Sequence, residues 1–251
     1  MTDEADVLAR LRVPRFPRAA GYDPRWVVEN QMGPNPLWLV EWLWPAVDLP
    51  PGSRVLDLGC GKALTSIFLA REYGVRVVAA DLWVPPGDNW RRIRAAGCAD
   101  TVLPVHTEAH DLRFAEEYFD AVVSIDAYEY FGTADTYLPY LARFVRPGGV
   151  VAIAEVGLTA ELDDLPDHLR PYWRPDFWQW KSAAWWRRHW QRSGVVDVEV
   201  ADQLEDGWRL WLRWEEVRLA LDSDAPRGVA DMLRADAGRH LGFVRVIART
   251  R

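Results

Sequence analysis

Val55-Leu-Asp-Leu-Gly-Cys-Gly-Lys-Ala63 is an apolar strand that runs into a glycine turn. The strand covers Val55 to Leu58, the turn holds Gly59 and Gly61, and a helix-like stretch from Leu64 to Tyr73 follows at once. The glycines permit a tight turn and let a ligand approach with no Cβ in the way. Asp57 changes what such a loop can bind. A pyrophosphate is the usual guest of a glycine turn at a helix N-terminus, and a carboxylate two residues before the first glycine would repel it. A ligand with a cationic head group and no phosphates would be favoured there.

A second carboxylate narrows the choice. Arg76-Val-Val-Ala-Ala80 reads as another apolar strand, with Asp81 at its carboxyl end. A carboxylate in that place can accept bonds from both ribose hydroxyls of a nucleoside. The dinucleotide pattern itself fails, because the position of its last glycine is Leu64. A positively charged nucleoside satisfies both acids, and S-adenosylmethionine, with its ammonium and sulfonium, is such a ligand.

With Ala80-Asp-Leu82, Phe119-Asp-Ala-Val-Val-Ser124 and Arg146-Pro-Gly-Gly149, the glycine loop resembles the class I (Rossmann-like) S-adenosylmethionine-dependent methyltransferases of small-molecule type. The matching segments fall in order over roughly residues 50 to 156. The third glycine common in the family's first motif is Ala63 here, a residue small enough for the turn. The resemblance implies an α/β fold, with a seven-stranded, doubly wound, mostly parallel sheet, helices on both faces and an antiparallel last strand. It also implies S-adenosyl-L-methionine as cofactor.

The chain's 251 residues suit one domain with cap segments, and 49% hydrophobic residues suffice for a sizeable core. A net charge of −7 argues against nucleic acid as partner. Cys60 and Cys98 lack metal-ligand spacing and read as free thiols of a reducing cytoplasm. Met1-Thr-Asp-Glu-Ala-Asp6 has no apolar signal core, and no stretch approaches the roughly 20 apolar residues of a membrane span. The expected partner is a small-molecule substrate, with no membrane; a homodimer is compatible with the sequence.

Alternating apolar runs place strands near 54–58, 76–80, 102–106, 119–125, 150–156, 195–202 and 241–248. Helices are expected near 63–73, 88–96, 134–145 and 182–192, with two more between Trp208 and Arg239. Pro14, Pro17, Pro24, Pro34 and Pro36 make the opening irregular, and Leu37 to Trp44 is apolar on nearly every side, as in a helix in a crowded place. Residues 1–50 are expected to form an N-terminal helical lid. Residues 51–251 are expected to form the class I methyltransferase domain, with cap insertions near 157–181 and 206–240.

Cofactor contacts are expected from Asp57, Gly59, Gly61, Asp81 and Leu82, with Ser124 at the end of the fourth strand. By resemblance, Glu108 and Ala109 follow the third strand at the adenine edge, and Tyr22 reaches the cofactor's carboxylate end. The alternative for Glu108 is a solvated loop charge. His106 and His110 have the spacing of a helical metal pair, but His106 closes a strand and no cysteine or third histidine is near, so no metal is expected.

After the fourth strand comes Ser124-Ile-Asp-Ala-Tyr-Glu-Tyr-Phe131, in the loop position that carries the site of open α/β sheets. Glu129 is the candidate general base, or anchor for a polar or cationic acceptor; the alternative is a capping or surface glutamate. Tyr128 and Tyr130 are expected as walls of the acceptor pocket. The fifteen tryptophans lie largely outside the central strands. Trp38 and Trp178 are candidates for an aromatic cap over a flat or cationic acceptor, the alternative being that such rings cement extra helices to the core. Glu29-Asn-Gln-Met-Gly-Pro-Asn-Pro36 sets polar side chains among glycines and prolines, as binding loops do.

The opening segment and layout are also similar to proteins grouped with cyclopropane fatty acid synthases, which act on lipids and use a bicarbonate site. Their cysteine-glutamate-histidine set has no counterpart here, since Cys60 lies in the glycine loop. The expected function is methyl transfer from S-adenosylmethionine to the O, N or C of a small acceptor, an aromatic or amine metabolite among the options. A lipid-modifying enzyme and a non-catalytic cofactor-binding module are the alternatives.

Overall fold

Side chains alternate across the central strands, and each parity has its own core. In a computed structural model describing residues 3–251, Val55, Val77, Ala79, Ala121, Val123, Ala152 and Ala154 belong to one cluster. Leu56, Leu58, Ala80, Val122, Val151 and Ile153 belong to the other. Both faces of the sheet are therefore covered, which is why these strands read as nearly unbroken apolar runs.

The strands are β1 (Arg54–Leu58), β2 (Arg76–Asp81), β3 (Val102–His106), β4 (Phe119–Ile125), β5 (Val145–Leu158), β6 (Val196–Gln203) and β7 (Leu241–Thr250). They form one seven-stranded sheet in the order β3-β2-β1-β4-β5-β7-β6. The first five in that order pair in parallel, and β7 runs antiparallel to both β5 and β6. The expected doubly wound, mostly parallel architecture is thus present, with a topological switch between β1 and β4. Pro104 sits in the middle of β3, an edge strand, where a missing N–H is tolerated.

The helices are α1 (Glu4–Ala9), α2 (Pro24–Asn30), α3 (Pro36–Val47), α4 (Leu64–Tyr73), α5 (Pro86–Ala95), α6 (Tyr137–Ala142), α7 (Ala183–Ser193), α8 (Gly207–Leu221) and α9 (Gly228–Asp236). The first face carries α3, α4, α5, α8 and α9; the second carries α6 and α7. Trp186 and Trp190 of α7 are fully buried against Tyr128, with ring centroids 5.4 and 5.6 Å away. Truncating either to alanine should cost about 3–5 kcal/mol.

The opening is more helical than its prolines suggested. Asp23 caps α2 by accepting from the Arg25 amide, and Pro24 takes the first helical position, where its missing N–H costs nothing. Asn35 and Pro36 repeat the arrangement for α3. The expected helix 134–145 is shorter, because strand pairing already begins at Val145 opposite Phe119. Met1 and Thr2, at the start of the expected lid, lie outside the described residues.

Candidate active site

The glycine turn is pressed from three sides. The Gly59 amide donates to the Ala80 carbonyl at 2.8 Å, and the Gly61 amide donates to Asp81 Oδ2 at 2.8 Å. Gly59 has φ +77°, and a Cβ there would stand 2.5 Å from the Ala127 Cβ. Gly61 has φ +53°, and its Cβ would meet Met32 Sδ at 2.9 Å. Both positions require glycine for backbone conformation and for space.

A cavity of about 280 Å³ opens at the carboxyl ends of β1, β2 and β4. Gly59, Gly61, Asp81, Leu82, Glu108, Ala109 and Tyr130, each singled out in the sequence, line it. Asp81 also accepts from the Trp83 and Val84 amides through Oδ1, at 2.8 and 2.9 Å. Its carboxylate is therefore held rigidly with its rim toward the cavity. Leu82 and Trp83 are exposed beside it and offer an apolar wall. Glu108 is engaged by His110, whose Nδ1 lies 2.8 Å from Oε1 and whose amide donates to Oε2 at 2.8 Å. His106 Nε2 is 2.9 Å from the Leu82 carbonyl, a brace between β3 and the cavity wall.

Several expectations need correction. Asp57 is fully buried and does not line the cavity. Its Oδ2 accepts from the Thr65 and Ser66 hydroxyls at 2.5 and 2.6 Å, and Oδ1 has no partner. Burial raises its pKa to about 6, against the lowering effect of those hydroxyls. Asp57 fastens the glycine loop to α4 from beneath. Ser124 is likewise buried, donating to the Leu58 carbonyl at 2.7 Å. Tyr22 donates to Glu72 at 2.9 Å and packs on Phe68, away from the cavity. Tyr128 is enclosed by aromatic rings. Trp38 is core, packed on Phe16 and Trp214. Trp178 is an exposed ring beside Trp173 and lines neither this cavity nor its neighbour.

That neighbour, of about 220 Å³, shares Met32, Gly33, Pro34, Asp126 and Tyr130 with the first cavity. Glu129 lines it and is 2% exposed. Its amide donates to Glu155 Oε2 at 3.1 Å, while Glu129 Oε2 and Glu155 Oε1 have no partner. Burial, and then the Glu155 charge, push the Glu129 carboxyl well above the carboxylate range. Burial and the neighbouring Glu129 do the same to Asp126. Glu155 is pushed up to about 8, chiefly by burial. Phe177, Trp180, Trp211 and Glu215 complete much of the wall.

Trp83, Glu155 and Glu215 went unmarked in the sequence, while Met32, Gly33 and Asp126 fall within the expected binding loops and Trp180 and Trp211 among the tryptophans expected to cap the site. Glu155 carried a signal, as the one acid inside the apolar run Val150 to Val156. Elsewhere among the described residues, His168, Asp236 and His240 bring metal-ligand atom types together, and none of them lines either cavity.

Residues 55–149 match the family described as Methyltransferase domain. The matched segment is a methyltransferase domain, and the seven-stranded sheet around it has the class I fold. Methyltransferase GfsG of Streptomyces halstedii is 32% identical over 128 residues, which cover 51% of this chain and 46% of that protein. The 2-methyl-6-phytyl-1,4-hydroquinone methyltransferase of Synechocystis sp. is 32% identical over 167 residues, covering 62% and 51%. The chain thus spans about half the length of the curated relatives it matches. The methyltransferase fold extends further than these alignments. A putative sarcosine dimethylglycine methyltransferase from Galdieria sulphuraria superposes with a TM-score of 0.67 at 20% identity, over 84% of this chain and 82% of that one. No helix among the described residues is long and apolar enough to cross a membrane.

Proposed function

We propose that the chain transfers the methyl group of S-adenosylmethionine to a small-molecule acceptor. The observation that carries this reading is the pair of adjoining cavities at the head of the sheet. One is floored by the glycine turn and Asp81, the other is walled by carboxylates and aromatic rings, and Asp126 and Tyr130 stand between them.

The first cavity fits the cofactor. Gly59 and Gly61 leave backbone open to close approach, and Asp81 keeps acceptor capacity for ribose hydroxyls beyond its backbone bonds. Leu82 gives the nucleoside an apolar face, and Glu108 and Ala109 border the adenine edge. S-adenosylmethionine supplies a methyl group already activated on a sulfonium, so the protein's task is mainly to position the acceptor and exclude water. Residues 1–50 act as the lid, with Asn30, Met32, Gly33 and Pro34 over the first cavity. The segments 157–181 and 206–240 act as caps, contributing Arg174, Trp180, Trp211 and Glu215 to the second. Glu129 holds or receives a proton beside the acceptor. An oxygen, nitrogen or carbon acceptor of an aromatic or amine metabolite fits this arrangement. Buried, unpaired Cys60 and Cys98 accord with a cytoplasmic setting.

The test is incubation of the purified chain with methyl-labelled cofactor and a small-molecule extract. A labelled small product supports the reading. Label in the lipid fraction supports a lipid-modifying enzyme, and cofactor binding without any labelled product supports a binding module.

A further inference from the structure

We infer that the second cavity is built to hold a small amine in its cationic form, with the ammonium group against Asp126 and Glu129. This rests on the proposed methyltransferase reading and names the acceptor class of the same site. Six charged side chains line the cavity: Asp126, Glu129, Asp176 and Glu215 against Arg174 and Arg218. Both arginines are already matched. Arg174 Nη2 donates to Asp176 Oδ2 at 3.1 Å, and Arg218 Nη2 lies 3.2 Å from Glu215 Oε2. Asp126 and Glu129 have no cation.

Glu129 is 2% exposed and its Oε2 has no hydrogen-bond partner. Asp126 receives only a long bond, 3.4 Å, from the Val156 amide. Glu155 stands directly behind Glu129 and adds a third acid without a basic neighbour. Uncompensated carboxylates withdrawn from water are costly to the fold, so their convergence on an open cavity points to a ligand that repays the cost. Phe177, Trp180, Trp211 and Tyr130 supply aromatic surface on the same cavity, which favours a cation over a neutral guest of equal shape. Burial also favours the protonated forms of Asp126, Glu129 and Glu155 when the cavity lacks a cation. An arriving ammonium reverses that preference, so its binding should release protons.

The experiment is calorimetry on the full chain saturated with S-adenosylhomocysteine. Dimethylamine, ethanolamine and choline are each compared with a neutral isostere, for choline 3,3-dimethylbutan-1-ol, in two buffers of different ionisation enthalpy at pH 7. At least one amine should bind roughly tenfold or more tightly than its isostere, with proton release. Glu129→Gln should erase most of that preference while leaving S-adenosylhomocysteine affinity unchanged. Equal binding of every amine and its isostere, or binding of none, overturns the inference, and needs no variant to fold. Failure to bind S-adenosylhomocysteine instead overturns the methyltransferase reading.

Discussion

The Asp126 carboxylate occupies the space where a side chain on Gly33 would begin: a Cβ at Gly33 would lie 2.2 Å from Asp126 Oδ2. Gly33 shortly precedes α3 and Asp126 follows β4 with φ +53°, so two loops from distant parts of the sequence meet closely at the head of the sheet. Gly33→Ala should lower kcat/KM by about 100-fold, since displacing a positioning element by about 1 Å can cost that much. The second substitution Asp126→Gly suits the positive φ and removes the clash. It should restore thermal stability to the double variant without restoring turnover. Wild-type turnover in Gly33→Ala would show that this junction has slack.

Asp57→Ala removes the acceptor of two hydroxyl bonds beneath the glycine turn. Hydrogen bonds to a charged group contribute about 1.5–3 kcal/mol each. Affinity for S-adenosylhomocysteine should fall by about tenfold or more, although Asp57 does not line the cavity. Asp57→Asn, which keeps one acceptor, should fall between. Calorimetry decides, and an unaltered affinity for the alanine variant would remove the loop-fastening role.

Stability should decline as pH rises from about 5 to 8 through the acid cluster. Glu155 has a folded pKa of about 8, raised by burial against the bond from Glu129. It faces Asp126, Glu129, Tyr128 and Trp186. The folded state binds this proton more tightly than the unfolded state does. The stabilising contribution is present in full below the unfolded pKa near 4.5 and is lost as pH passes through the folded value. Glu155→Gln should flatten the slope and gain Tm relative to wild type at pH 8 more than at pH 5. Parallel melting curves for the two proteins across that window would refute it.

Asp236 has the opposite sign. Burial opposes its charge, but backbone bonds from His240 and Leu241 and side-chain bonds from His168 and His240 outweigh burial and lower its pKa. Its contribution is present above the unfolded pKa and is lost as pH falls through the folded one. Asp236→Asn turns a donor toward donors and should cost about 1–3 kcal/mol at pH 7, less at acid pH. Chemical denaturation at the two pH values measures it. Equal cost at both would mean the amide flips without penalty.

The central strands were legible because each is apolar on both faces and bounded by glycine, proline or charge. The direction of Asp57 was also legible in principle. It has the parity of Val55, which lies on the face covered by α4, so its carboxylate meets Thr65 and Ser66 rather than the cavity. Its place two residues before Gly59 points to the ligand only when strand parity is left out. Trp38 shows the same preference of packing over function: a helix apolar on nearly every side buries seven of its twelve residues, Trp38 among them. The second cavity had no local signature. It joins the 31–34 segment, the loop after β4, the 174–180 turn and α8, and only the folded chain places these together. Glu129 is legible because it follows β4; its partner Glu155 is separated from it by 26 residues.

Pro104 at the middle of β3 has a consequence for assembly. A proline in an edge strand turns its bare nitrogen to the open side, so a strand laid along β3 would find a donor missing halfway. At the opposite end, β6 carries Asp197, Glu199 and Asp202, bound to Arg251, Arg249 and Arg245. Neither margin invites fusion of two sheets into a longer one, so any pairing of copies falls to helical surfaces, and crowding should not drive the chain into fibrils through its rims.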